Sequence, residues 1–131
     1  MIGSSRSLRV WAYPEPVDMR RGFDGLHALV AHQLRRDVLA GELFLFVSRT
    51  RKRAKVLFWD GTGLVVYAKR LEKSRFTAPW ASGRGPGPLE MTLAELALFL
   101  EGSVWAGRLP LSPAPFVMGP LARFGAGVAQ R

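Results

Sequence analysis

The chain has 131 residues, 48% of them hydrophobic and 22% charged, and a formal net charge of +9, a size and balance that predict one folded domain and exclude a disordered chain. It has no cysteine, which excludes disulfides, thiolate metal sites and cysteine nucleophiles. No apolar run approaches the roughly 18–20 residues of a membrane span, and Met1-Ile2-Gly3-Ser4-Ser5-Arg6 lacks the apolar core of a secretory signal, so a cytoplasmic protein without a membrane partner is expected.

In chain order, Leu8 to Tyr13 alternates as a strand and is ended by Pro14 and Pro16, which have no amide proton for a ladder. Asp18 is placed to cap a helix whose first turn holds Met19, Arg20 and Arg21. Phe23, Leu26, Val30 and Leu34, with Leu29 alongside, recur at the three-four spacing of one helical stripe, predicting an amphipathic helix that ends near Arg35-Arg36-Asp37. Gly22 and Gly25 weaken its first turn, by about 1 kcal/mol each relative to alanine. They are read as aids to helix–sheet packing or to close approach of a phosphate. Arg20 and Arg21 either bind phosphate or pair with Asp18 or Asp24.

Residues 41–76 form three apolar runs around a cationic tip. Leu43 to Val47 is apolar at every position and reads as a central strand buried on both faces. Five positive charges follow within residues 49–55, on a tip expected to project into solvent. Val56 to Trp59 is a second strand, closed by Asp60-Gly61-Thr62-Gly63, where Asp-Gly supplies positive φ. Leu64 to Ala68 is a third strand that passes into the basic stretch 69–76. Phe76 to Trp80 reads as extended, and 81–88, rich in glycine and proline, as a connector. Thr92 and Glu95 make a capping-box signature for a second helix carrying Leu93, Leu96, Ala97 and Leu100, with Leu98 and Phe99 extending its apolar surface almost all round. Gly102 ends it. A helix so apolar, beside a strand buried on both faces, predicts either a three-layer domain or a homodimer with this helix near the interface.

The expected fold is therefore α+β: a small antiparallel meander of three to four strands packed with two main helices, over residues 1–105. Residues 106–131, with Pro110, Pro113, Pro115 and Pro120, read as an irregular or mobile tail, with Phe116 to Met118 as a weak docking segment.

Net charge is +2 for residues 1–40, +6 for 41–80 and +1 for 81–131, counting Lys and Arg against Asp and Glu. A localised positive field favours a polyanion; the plainer reading is a solvated basic surface. His27 and His32 are five apart in one helix and diverge, a poor metal pair. Asp18, Asp24, Asp60 and Glu72 each have a local structural explanation, so no catalytic or metal site and no cofactor is expected. Arg49, Arg51, Lys52, Arg53 and Lys55 can reach phosphates from a two-stranded ribbon. Arg20, Arg21, Lys69, Arg70, Lys73 and Arg75 form a second basic group, with Phe76 and Trp80 as rings able to stack on bases.

Residues 17–26 (Val-Asp-Met-Arg-Arg-Gly-Phe-Asp-Gly-Leu), 55–64 (Lys-Val-Leu-Phe-Trp-Asp-Gly-Thr-Gly-Leu), 69–76 and 93–102 resemble, in order, the TnpB-type accessory proteins encoded by the second reading frame of insertion sequences of the sixty-six family. The resemblance spans about residues 8–105; the connector at 81–88 and the tail after Trp105 depart from it. It implies a non-catalytic role in bacterial DNA transposition beside a separate transposase, and no catalytic residues. Joined to the charge pattern, the expectation is an accessory factor that binds duplex DNA at the element's ends and helps assemble the transposase complex. The alternative is an adaptor that docks on the transposase through the second helix, at Leu96 and Leu100, without touching DNA.

Overall fold

The computed structural model describes residues 8–81, 85 and 87–102. Five strands form one sheet: β1 (Arg9–Ala12), β2 (Leu43–Val47), β3 (Arg53–Trp59), β4 (Leu64–Arg70) and β5 (Leu89–Thr92), ordered β4-β3-β2-β1-β5. The antiparallel meander from β2 to β4 is as the sequence predicts. Two features differ from it. β1 joins β2 in parallel, Val10 opposite Leu43 and Ala12 opposite Leu45, because the first helix carries the chain back across the sheet before β2 begins. β5, absent from the sequence reading, pairs antiparallel with β1, from Arg9 opposite Thr92 to Ala12 opposite Leu89. Its four residues alternate, Leu89 and Met91 buried, Glu90 and Thr92 exposed, too short a run to stand out beside a helical stripe.

The first helix begins at Phe23, not at Met19: α1 (Phe23–Ala28) continues as a π-helical stretch, Leu29–Leu34, and stops where Arg35 adopts a left-handed φ of 57°. Asp18 caps no helix. Its carboxylate accepts hydrogen bonds from the Arg20 backbone N–H and guanidinium, and the Arg21 N–H donates to the Asp18 carbonyl, closing a turn over 18–21. The second helix, α2 (Leu93–Leu100), starts on the expected reciprocal box: the Glu95 N–H donates to Thr92 Oγ1 at 3.1 Å and the Thr92 N–H to Glu95 Oε1 at 2.8 Å. Gly102, at φ 90°, takes the left-handed position that ends it.

The central strands of the sheet are covered on both sides, giving the three-layer arrangement, while the edge strand β4 stays partly exposed. One face holds Leu26, Val30, Val38, Phe44, Phe46 and Leu57 under α1 and its continuation. The other holds Val10, Ala12, Leu45, Val47, Val56, Leu96 and Phe99 under α2, together with Phe76. β2 contributes alternately to both, as its uninterrupted apolar run requires. No described helix is long and apolar enough to cross a membrane. The tail at 106–131 and its segment Phe116 to Met118 lie outside the described residues.

Candidate nucleic-acid interface

The three basic stretches arise far apart in sequence and converge through specific hydrogen bonds. Parallel pairing of β1 with β2 continues beyond the strand: the Tyr13 N–H donates to Leu45 O and the Val17 N–H to Val47 O, which carries the 18–21 turn to the end of the sheet where β2 passes into the cationic tip. Lys55 Nζ donates to both Met19 O and Arg21 O at 2.8 Å and so fastens that turn to β3. At the same end Arg53 lies opposite Arg70 in the β3–β4 ladder. The loop after β4 is tied to the tip twice, by Leu71 N–H to Lys52 O at 2.8 Å and Phe76 N–H to Arg51 O at 2.7 Å. Lys73 and Arg75, between these two anchors, are exposed.

One rim of the sheet thus gathers Arg20, Arg21, Arg49, Arg51, Lys52, Arg53, Lys55, Lys69, Arg70, Lys73 and Arg75. Two acids form ion pairs with members of this group. Asp18 holds Arg20 in a forked pair, Arg20 Nη2 to Oδ2 at 2.6 Å, and that guanidinium keeps the Asp18 carboxyl well below the usual carboxylate range. Glu72 pairs with Arg70 at 3.1 Å. Both pairs are exposed and contribute little to stability. Among the described residues no ion pair reaches Arg21, Arg49, Arg51, Lys52, Arg53, Lys55, Lys69, Lys73 or Arg75.

These side chains are not equally available. Arg49 and Arg53 are exposed, whereas Arg51 and Lys52 are half-buried. Arg51 sits at φ 63°, with its guanidinium 3.4 Å from Phe76 O. Lys55 spends two of its three donors on the 19–21 carbonyls, a structural clip that the sequence did not suggest. Phe76, expected as a stacking ring, is fully buried and stacked on Phe99 at 5.3 Å and 5°. Trp80 packs partly buried against the same core. The aromatic signal of the sequence therefore belongs to the core. Phe23, which the sequence assigned to the buried helical stripe, is instead 51% exposed, one residue past the Gly22 that precedes α1.

Gly25 also proves to have a different role from either that the sequence offered. A Cβ there would lie 3.1 Å from Arg21 Cβ and 3.2 Å from its Cγ, so the missing side chain makes room for the Arg21 stem across the first turn of α1. Nothing lies within 4 Å of a Cβ at Gly22.

The opposite end of the sheet is compensated. Arg9 pairs with Glu90 at 2.8 Å, and Arg36 with Glu42 through two hydrogen bonds of 2.8 and 3.1 Å. Both guanidiniums lie over the Trp11 ring, at 5.0 and 4.2 Å. The hydrogen bonds from Arg36 lower the Glu42 pKa against the burial that would raise it. The Trp11 indole N–H is buried without a hydrogen-bond partner. Asp60, at the β3–β4 turn, accepts from the backbone N–H groups of Thr62 and Gly63 and from the Thr62 hydroxyl, which lower its pKa. Among the described residues no three of His, Asp and Glu are grouped so as to hold a metal ion.

Known proteins resemble the chain over most of its length. The family described as IS66 Orf2 like protein matches residues 8–109. The uncharacterized protein y4jC of Sinorhizobium fredii (strain NBRC 101917 / NGR234) is 38% identical over 105 residues, 80% of this chain and 87% of that one. A second uncharacterized protein of the same strain, y4hO, is 36% identical over 105 residues, 80% of this chain and 89% of its own length. No solved structure matches the chain.

Proposed function

Because the chain belongs to the family of IS66 Orf2 like proteins, accessory proteins associated with transposition, we propose that it holds duplex DNA on the basic rim and helps assemble the transposase on the ends of its element. The observation that carries this reading is the segregation of charge. The eleven cations of the rim outnumber the acids on the same segments, Glu15, Asp18, Asp24 and Glu72, by seven, most of the chain's formal charge of +9. Toward the far end of the sheet Arg9 pairs with Glu90 and Arg36 with Glu42. Proteins gain little stability from crowding like charges, and Arg53 directly opposite Arg70 costs some; a polyanion that displaces counterions offsets it. Arg21, Arg49, Arg53, Lys73 and Arg75 bind the phosphates, with Lys69 and Lys52 at their margin. Arg20 and Arg70 join them by exchanging a carboxylate for a phosphate. Arg51 and Lys55 shape the rim. Gel shifts at several salt concentrations, using element-end and random duplexes with and without the transposase, test this. Salt-sensitive binding that the transposase strengthens supports the reading, and no binding at low salt refutes it.

A second reading rests on α2. Leu93 and Leu98 are 46% and 39% exposed, and Ala94 and Ala97 are exposed between them, an apolar strip that suits docking to the transposase or to a second copy of this chain. Leu96 is 4% exposed and belongs to the core, so a docking surface on α2 is centred on Leu93 and Leu98 rather than on Leu96 and Leu100.

A further inference from the structure

We infer that Phe23 and Arg21 together form a stacking site for an unpaired base, so that the rim takes single-stranded or locally opened DNA in preference to continuous duplex. This rests on the DNA-binding reading and specifies its substrate. Phe23 is anomalous in its burial. The other described phenylalanines, Phe44, Phe46, Phe58, Phe76 and Phe99, lie in or against the two cores, whereas Phe23 stands 51% exposed and outside both. Arg20, Arg21 and Asp24 lie within three residues of it in sequence, so the ring stands among charged groups.

The backbone that carries the ring is anchored on both sides. Before it, the Arg21 carbonyl accepts from Lys55 Nζ at 2.8 Å; after it, the Leu26 N–H donates to Gly22 O at 2.9 Å and Leu26 is fully buried. Arg21 is laid over the first turn of α1, in the space that Gly25 leaves, and has no ion pair among the described residues. An exposed ring on an anchored backbone, two residues from an arginine that has no ion pair among the described residues, suits an unstacked base: the ring offers a π-face, and the arginine reaches the adjoining phosphate. A continuous duplex covers its base faces, so the ring can contribute there only by wedging between steps, at the cost of unstacking them.

The test compares a single-stranded oligonucleotide with the duplex of the same sequence, at one salt concentration, for the full chain and for Phe23→Ala and Phe23→Trp. The expected result is tighter binding of the single strand by the full chain. Phe23→Ala weakens single-strand binding by roughly tenfold to hundredfold, the range of one base–aromatic stack, and leaves duplex binding within twofold. Phe23→Trp retains single-strand binding. A 2-aminopurine placed in the single strand is quenched by the full chain and by Phe23→Trp, and not by Phe23→Ala. Equal weakening on both DNAs, or no weakening on either, overturns the inference while leaving a DNA-binding rim in place. Failure of the full chain to bind either DNA overturns both. Because Phe23 is half exposed, Phe23→Ala melts within about 5 °C of the full chain, and a larger drop counts against the assignment.

Discussion

Glu42 is the one described carboxylate set against two arginines at the compensated end of the sheet, hydrogen-bonded to Arg36 and 3.8 Å from Arg9. Its folded pKa is lowered, chiefly by Arg36, so the stabilisation it brings is fully present above the ordinary carboxylate range and is lost as pH falls through the lowered value. Glu42→Gln therefore reduces unfolding free energy by about 1–2 kcal/mol near neutral pH, as expected for charge-assisted hydrogen bonds that are partly buried. Urea titrations should show the gap between the two proteins closing as pH drops below about 4. Phe99→Ala has a larger effect. It removes a fully buried ring and unstacks Phe76, and should cost about 3–5 kcal/mol. Phe76 follows the loop that carries Lys73 and Arg75, so the same variant should also make that loop exchange its amide hydrogens faster. These two residues mark how far sequence can be read. Phe76 beside Arg75 has the pattern of a base-stacking ring, and only the hydrogen bond from its N–H to Arg51 O and the arrival of α2 turn it inward. Lys55 is likewise one more charge in a basic run until a turn some 36 residues earlier supplies its acceptors.

At the level of elements, what was legible had a local cause. Thr92 and Glu95 start α2 as the capping box predicts, the run from Leu43 to Val47 is a strand buried on both faces, and Asp60-Gly61 turns β3 into β4 with Gly61 at φ 103°. What escaped was set by tertiary pairing: β5 exists because β1 offers it an edge, and α1 starts late because Asp18 closes a turn with Arg20 instead of opening a helix. The same distinction governs α2. Its inner residues Leu96 and Phe99 are core, and its outer residues Leu93 and Leu98 are 46% and 39% exposed. Replacing both outer leucines by serine should lower the melting temperature far less than Phe99→Ala does, since each is only partly covered. If α2 docks on the transposase, co-purification of the two proteins is lost while DNA affinity stays the same. Unaltered co-purification would remove α2 from consideration.

For the whole molecule, the fold serves to sort charge. The parallel passage from β1 to β2 brings the 18–21 turn to the end where the β2–β3 tip emerges. The β4 loop is laced to that tip, and α2 returns to the same end, with Gly102 against Leu71 and Ser74. Composition and the three charge totals point to a polyanion partner, yet the inclusion of residues 20 and 21 in the basic group could be fixed only by the hydrogen bonds from Tyr13, Val17 and Lys55. The central claim, that these side chains act together on DNA phosphates, makes a quantitative prediction. Fluorescence anisotropy of a labelled duplex should give an affinity that falls linearly with the logarithm of salt concentration. Changing Arg49, Arg53, Lys73 and Arg75 together to Gln should reduce that slope by about three to four, close to 0.9 for each phosphate no longer neutralised. Arg35→Gln, at the far end of the sheet, should leave it unchanged. A slope that does not move with the four rim substitutions, or that falls as much with Arg35→Gln, would contradict the account.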